Sequence, residues 1–82
     1  VPEALRMVAE RAPVVGADAA VAAGRSVLDA AGIPVDYLVV TDPLLGELRP
    51  VPGCVVEGRA LVAVRIGSTR LIDNLACEVA AP

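Results

Sequence analysis

Residues 59–79 read RALVAVRIGSTRLIDNLACEV, two extended aliphatic runs separated by only two residues. A two-residue connection that begins with Gly67 is typical of a type II′ β-turn, because glycine readily adopts the positive φ of the first turn position. The pattern predicts a tight antiparallel hairpin, with one strand from Arg59 to Ile66 and the other from Thr69 to Val79. The register that such a turn imposes pairs Ile66 with Thr69, Arg65 with Arg70, Val64 with Leu71, and Ala63 with Ile72.

This register sets two arginines, Arg65 and Arg70, directly opposite each other. Like charges in that position are unfavourable unless an anion or a carboxylate lies between them. Asp73 and Asn74 follow closely and can supply further hydrogen bonds. We therefore identify Arg65, Arg70, Asp73 and Asn74 as candidate contacts for a ligand or a neighbouring domain. The alternative is that the two arginines bind carboxylates within the domain or point separately into water.

Two helices are predicted upstream of the hairpin. The first follows Pro2, with apolar residues at helical spacing, and is expected to close at Pro13. The second is expected to begin near Asp18, whose carboxylate can accept N–H groups of the first turn, and to reach Ala31, with Gly32 as a left-handed cap. Within it, Gly24 indicates either close approach to a strand or a tolerated helical glycine.

A further strand is predicted from Val35 to Thr41, where Asp42-Pro43 forms a turn. Residues 44–53 are expected to form a surface connection, with Leu44, Leu45 and Leu48 tucked beneath it. Together these elements predict an α+β fold of two layers. A small, mostly antiparallel three-stranded sheet has both helices on one face, in a single domain over residues 1–82.

Composition narrows the classes of partner. The chain has 82 residues, 56% of them hydrophobic, and its net charge is −3. Because phosphate neutralisation dominates affinity for nucleic acids, this charge argues against DNA or RNA. The apolar runs are too short to span a bilayer, and no targeting signal is visible, so we predict no membrane partner and a cytoplasmic location.

The missing residue types limit catalysis. The chain has no histidine, and all of its basic residues are arginine, so Ser–His pairs, Schiff bases and a P-loop lysine have no candidates. Cys54 and Cys77 lie far apart and have no histidine at metal-ligand spacing. We predict no catalytic residue, no metal site and no cofactor bound by this chain alone, and we expect Cys77 to be a buried small hydrophobe.

Two segments resemble a known family. Val35-Asp36-Tyr37-Leu38 and, after a loop, residues 58–74, GRALVAVRIGSTRLIDN, are similar to the C-terminal part of pantothenate synthetase (pantoate–β-alanine ligase). The latter half of the chain holds the specific motifs, whereas the helices match in character and position.

The resemblance implies an ATP- and Mg²⁺-dependent enzyme that joins pantoate to β-alanine through a pantoyl-adenylate. In that family a His-x-Gly-His motif, a Lys-Asp pair and a Ser-Ser-Arg-Asn segment belong to the N-terminal catalytic domain, upstream of the matched region. This chain would then be the lid that closes over that domain, its missing partner. The alternatives are a stand-alone interaction module, self-associating through an uncovered apolar face, or the small subunit of a split ligase.

Overall fold

The computed structural model describes residues 2–81. Helix α1 spans Pro2–Val15 and helix α2 spans Ala17–Ala30, and they are followed by strands β1 (Val35–Thr41), β2 (Val55–Ile66) and β3 (Thr69–Ala80). The sheet order is β1-β2-β3, and both neighbouring pairs are antiparallel. Both helices pack on one face of this sheet, α1 against β3 and α2 against β1. The predicted two-layer α+β architecture is confirmed.

The core lies between the helices and the sheet and is built only from aliphatic side chains. Leu5 and Val8 of α1 and Leu28 of α2 face Leu38, Val62 and their neighbours on the sheet. Alternation along each strand gives one buried face, because successive side chains point to opposite sides. Within the described residues no polar or charged side chain is fully buried.

The helix boundaries differ from the predicted ones. Helix α1 does not close at Pro13 but continues to Val15, because Pro13 lies in its last turn and the Gly16 amide still bonds to the Ala12 carbonyl at 3.1 Å. The residue preceding α2 is Gly16, with φ of 87°, so Asp18 lies inside the first turn and is not the cap. Its carboxylate there still suits the positive end of the helix dipole.

Two glycines of the second helical segment have distinct roles. Gly32 ends α2 with φ of 70°, and the Ile33 amide bonds back to the Leu28 carbonyl at 3.0 Å, as predicted for a left-handed cap. Gly24 is buried where α2 crosses α1 and β1. A Cβ added there would lie 2.7 Å from Val8 Cγ2 and 3.2 Å from Leu38 Cδ2, so close approach explains this glycine.

The connection between β1 and β2 is only partly as predicted. Asp42 organises its start, since its carboxylate accepts the amides of Leu44 at 2.9 Å and Gly46 at 2.7 Å. Leu48 packs against the core, but Leu44 is 91% exposed and Leu45 59% exposed. The prediction that these two leucines tuck under the loop was wrong, because the tight Asp42 turn projects them outward.

The hairpin has the predicted register, including Arg65 opposite Arg70 and Ala63 opposite Ile72. Gly67 has φ of 61° and Ser68 does not share a positive φ, as a type II′ turn requires. Strand β2 begins at Val55, four residues before the predicted start. The ladder with β3 continues through Gly58 to Val55, which lies opposite Ala80. Strand β2 is therefore longer than the periodicity of its side chains predicted.

Candidate functional site

The face of the sheet opposite the helices is open and carries most of the polar side chains of the strands. The registers place Tyr37 and Val39 of β1 and Leu61 of β2 at its centre, beside Ile72 of β3. Val39 is 40% exposed and Ile72 is 61% exposed. Charged groups lie towards the two ends of this apolar centre, and we call the whole surface the open face.

The end of the open face nearest the turn holds a cluster of three charged residues, Asp36, Arg65 and Arg70. Arg65 Nε donates to Asp36 Oδ1 at 3.1 Å, and Arg70 Nε donates to Asp36 Oδ2 at 2.8 Å. One carboxylate therefore separates the two guanidinium groups that the hairpin register sets opposite each other. The two arginines thus bind a carboxylate within the domain, which is one of the alternatives that the sequence analysis left open.

A β-bulge brings Asp36 into this cluster. The β1–β2 register shifts between Val35, opposite Val64, and Tyr37, opposite Ala63. Asp36 is the extra residue of the bulge, and such residues depart from the regular direction of the strand. The sequence analysis did not include Asp36 among the candidate contacts, because the ordinary alternation of β1 does not reveal a bulge. The need for an anion between Arg65 and Arg70 was the one available signal.

The two arginines control the charge state of Asp36. Partial burial raises the pKa of its carboxyl, but the hydrogen bond and charge of Arg65, followed by those of Arg70, outweigh this effect and lower the pKa overall. The carboxylate is thus ionised at neutral pH and unsuited to serve as a general acid or base there.

The two arginines of the cluster can still bind a further anion. Both arginines bind Asp36 through Nε, and among the residues described their η nitrogens have no hydrogen-bond acceptor. Their side chains are 65% and 52% exposed. The arrangement can donate hydrogen bonds to an external carboxylate or phosphate, although Asp36 already neutralises one of its two positive charges.

The other two candidate residues lie apart from this cluster. Asn74 is on the open face further along β3, where its side-chain oxygen accepts a hydrogen bond from Arg59 Nη1. Asp73 pairs with Val62 on the helix side of the sheet, and its carboxylate accepts the Asn74 amide at 2.8 Å. The structure brings Arg65 and Arg70 together but does not bring Asp73 and Asn74 to them. Whether any of the four contacts a ligand or domain stays a prediction.

The cysteines lie in different environments and are both free thiols. Cys54 is exposed in the loop before β2, whereas Cys77 packs partly against the core from β3. Burial raises the pKa of the Cys77 thiol, although a backbone hydrogen bond at Ala60 and the charge of Arg59 act in the opposite sense. Across residues 2–81, no three Cys, Asp or Glu side chains are grouped so as to hold a metal ion.

Neither described helix has the length and apolar character needed to cross a membrane. No protein-family profile matches the sequence. Similarity to individual proteins is strong, however. The chain is 52% identical over 67 residues to a pantothenate synthetase of Mycolicibacterium smegmatis, a match that covers 80% of this chain and 20% of that enzyme.

Pantothenate synthetases of other bacteria match this chain with similar identity and similarly small coverage of their own length. The enzyme of a Nocardioides species is 52% identical over 61 residues, 73% of this chain and 18% of its own length. That of Xylella fastidiosa is 57% identical over 49 residues, 58% of this chain and 17% of its own length. The chain thus spans about a fifth of the length of the curated relatives it matches. The resemblance to the C-terminal domain of pantothenate synthetase is confirmed. This chain is related to that family and corresponds to about a fifth of the length of the matched enzymes.

Proposed function

We propose that this chain is the C-terminal lid domain of an ATP-dependent pantoate–β-alanine ligase, and that it does not catalyse the reaction by itself. The observation that carries the proposal is the 52% identity to pantothenate synthetase over four fifths of the chain. In this assignment residues 1–82 form one domain. ATP, Mg²⁺, pantoate and the catalytic residues belong to an N-terminal domain outside this sequence, and the enzyme acts in the cytoplasm.

The chemistry of the described residues supports a role without catalysis. Asp36 is held ionised between Arg65 and Arg70. The chain has no histidine or lysine to assist attack on an ATP phosphate. In this proposal the site for ATP lies outside the described residues. In the proposed enzyme the lid excludes water from a hydrolysable acyl-adenylate, as closing lids do elsewhere.

The Asp36–Arg65–Arg70 cluster is our candidate for the part of the lid that contacts the rest of the enzyme. Its η nitrogens can donate to carboxylates or phosphates at the edge of a cleft, while Asp36 fixes the direction of both guanidinium groups. Bidentate arginine contacts of this kind add orientation as well as energy. Asn74 lies further along the open face and would contact a more distant part of the neighbouring domain, whereas Asp73, on the helix side of the sheet, would contact it elsewhere.

A chimeric enzyme tests the assignment directly. The segment of the M. smegmatis pantothenate synthetase that matches this chain is replaced by this chain, and pantothenate formation is compared with that of the same enzyme truncated before the segment. We expect the chimera to regain activity that the truncated enzyme lacks. As a matched pair, Arg70→Ala in the chimera is expected to lower kcat/KM, whereas Arg49→Ala, in the exposed loop, leaves it unchanged.

Two results would contradict the proposal. One is an inactive chimera that is folded and still binds ATP. The other is turnover by the pure 82-residue chain supplied with ATP, Mg²⁺, pantoate and β-alanine, since a lid has no means to adenylate a carboxylate.

The second candidate function is an interaction module or the small subunit of a split ligase. The observation in its favour is the uncovered apolar centre of the open face, where Ile72 is 61% exposed and Val39 is 40% exposed. Adding the separate chain to the truncated M. smegmatis enzyme distinguishes the cases. Activity restored without a covalent link supports a subunit, whereas activity only in the covalent chimera supports a lid domain.

A further inference from the structure

Strand β3 is an edge of the sheet, and its outer side has no partner strand within the described chain. It is 12 residues long, and its ladder with β2 runs from Ile66–Thr69 to Val55–Ala80 without a register shift. Native edge strands are usually protected by being short, by bulges, by proline, or by charged side chains, especially lysine and charges that point inward. Strand β3 is long and has no bulge, proline or lysine, so its protection is limited to the charged side chains of Arg70, Asp73 and Glu78.

The opposite edge is protected. Strand β1 has seven residues, a bulge at Asp36, and a proline at either end, Pro34 and Pro43. An additional strand would therefore find a long and regular template only along β3.

The hairpin geometry shows which backbone groups this edge presents. In a two-residue hairpin, Ile66 and Thr69 bond to each other, so the odd-numbered residues of β3 bond to β2. The Arg65 amide, which bonds to the Pro34 carbonyl at 3.0 Å on the β1 side, fits this alternation. The even-numbered residues direct their N–H and C=O groups outward. These are Arg70, Ile72, Asn74, Ala76, Glu78 and Ala80; the first five are exposed, and Ala80 at the end of the strand is partly buried.

Charges on the open face are segregated along the strand direction. At the turn end, Arg65 and Arg70 share one carboxylate, which leaves a net charge of about +1. At the far end, Glu57 lies directly opposite Glu78, and neither forms a salt bridge within the described residues. Opposed like charges are unfavourable on a sheet. The edge is thus positive at one end and negative at the other, which makes it complementary to an antiparallel copy of itself.

We propose that two copies of this chain associate through the outer edges of their β3 strands, which pair antiparallel with Asn74 on the two-fold axis. In this register Arg70 of each copy lies opposite Glu78 of the other, and Ile72 lies opposite Ala76. The two sheets become one six-stranded sheet with both open faces on the same side. A two-fold interface of this kind uses the same patch on both partners.

Charge selects this register among its neighbours. Sliding the second copy by two residues in one direction sets Asp73 opposite Asp73 of the other copy, which is repulsive. Sliding it by two residues the other way sets Glu78 opposite Ile72 and loses both Arg–Glu pairs. Only the register centred on Asn74 relieves the Glu57–Glu78 repulsion at both ends. This inference goes beyond the proposed ligase role and does not depend on it.

Sedimentation equilibrium of the 82-residue chain, up to about 1 mM, tests the association. We expect a monomer–dimer equilibrium that weakens as salt is added. Glu78→Arg replaces two attractive pairs by two repulsive ones, so the dimer Kd should rise about tenfold or more. Glu47→Arg makes the same charge change in the loop beside β1 and should alter the Kd by less than about twofold. Far-UV circular dichroism verifies that both variants are folded.

A cysteine cross-link tests the register. In a Cys54→Ser/Cys77→Ala background, Asn74→Cys places two thiols across the axis at a Cα separation of about 5.5 Å, within disulfide range. Ile72→Cys is the matched control, because its two copies are four positions out of register, about 14 Å apart. We expect rapid oxidation to a covalent dimer for the first variant only.

Three results would overturn the proposal, and none requires ligase activity. The first is a chain that stays monomeric at about 1 mM. The second is a dimer with the same Kd in Glu78→Arg as in the unmodified chain. The third is cross-linking through residue 72 in place of residue 74. The ligase assignment is judged separately, by the chimera.

Discussion

At the scale of single residues, Asp36 holds the turn end of the sheet together by separating Arg65 from Arg70. We expect Asp36→Asn to lower the melting temperature, because a neutral amide leaves two guanidinium groups opposed without a counter-charge. Asp36→Glu, which keeps the charge but lengthens the side chain, should restore part of the loss. Thermal unfolding at pH 7 followed by circular dichroism gives both values, and an Asn variant as stable as the parent would contradict this role.

The same residue makes stability depend on pH. The pKa of Asp36 is lower in the folded chain than the ordinary aspartate value expected in the unfolded chain. Its stabilising contribution is therefore fully present above about pH 5 and is lost as the pH falls through the folded-state value. The melting temperatures of the parent and Asp36→Asn should differ most near neutral pH and converge towards pH 2. A difference that does not change with pH would show that charge is not the cause.

The two thiols are expected to differ in reactivity. Thiolate is the reactive form, and burial raises the pKa of Cys77 while also limiting access to it. Cys54 is exposed and should react first with iodoacetamide at pH 7.5 under native conditions. Mass spectrometry of the peptides over time measures both rates, and urea provides the control, since the rates should become similar when the chain is unfolded. Equal rates in the native chain would contradict the packing of Cys77.

At the scale of elements, Gly24 sets the distance between α1, α2 and β1. Gly24→Ala gains about 1 kcal/mol of helix propensity, but the new Cβ would lie 2.7 Å from Val8 Cγ2 and 3.2 Å from the Ala4 carbonyl oxygen. Overpacking of this kind costs about 1–3 kcal/mol. We therefore expect a net loss of roughly 1 kcal/mol in the free energy of unfolding, measured by urea denaturation.

A second substitution separates the two effects. In a Val8→Ala background the nearest obstructing methyl group is gone, so the cost of Gly24→Ala should fall towards zero or become a gain. If Gly24→Ala is equally harmful in both backgrounds, the contact with Val8 is not what requires glycine at this position.

The elements also show which predictions the sequence could support. The hairpin was predictable in register because Gly67-Ser68 fixes its turn, and the opposition of Arg65 and Arg70 follows from that register alone. The carboxylate between them was not predictable, because Asp36 reaches it through a bulge that strand alternation does not encode. Likewise, Pro13 indicates a helix end by its chemistry, but one missing hydrogen bond in a last turn does not stop a helix that packs on a sheet.

At the scale of the whole molecule, the small aliphatic core is expected to give only a modest free energy of unfolding. A domain of 82 residues is expected to be stable by roughly 4–12 kcal/mol. Leu28 is 2% exposed and belongs to the core, and replacing a buried leucine by alanine costs about 2–5 kcal/mol. The tight turn at Asp42, in contrast, leaves Leu44 91% exposed.

These two leucines form a matched pair for testing the fold as a whole. We expect Leu28→Ala to remove about 2–5 kcal/mol from the free energy of unfolding, and Leu44→Ala to change it by less than about 0.5 kcal/mol. Denaturation by urea, followed by far-UV circular dichroism and by the fluorescence of Tyr37 on the open face, measures both changes. Coincident transitions from the two probes would mean that helices and sheet unfold together, as expected where one core joins them. A large loss for Leu44→Ala would instead place that side chain under the loop, as the sequence first suggested, and would contradict the Asp42 turn.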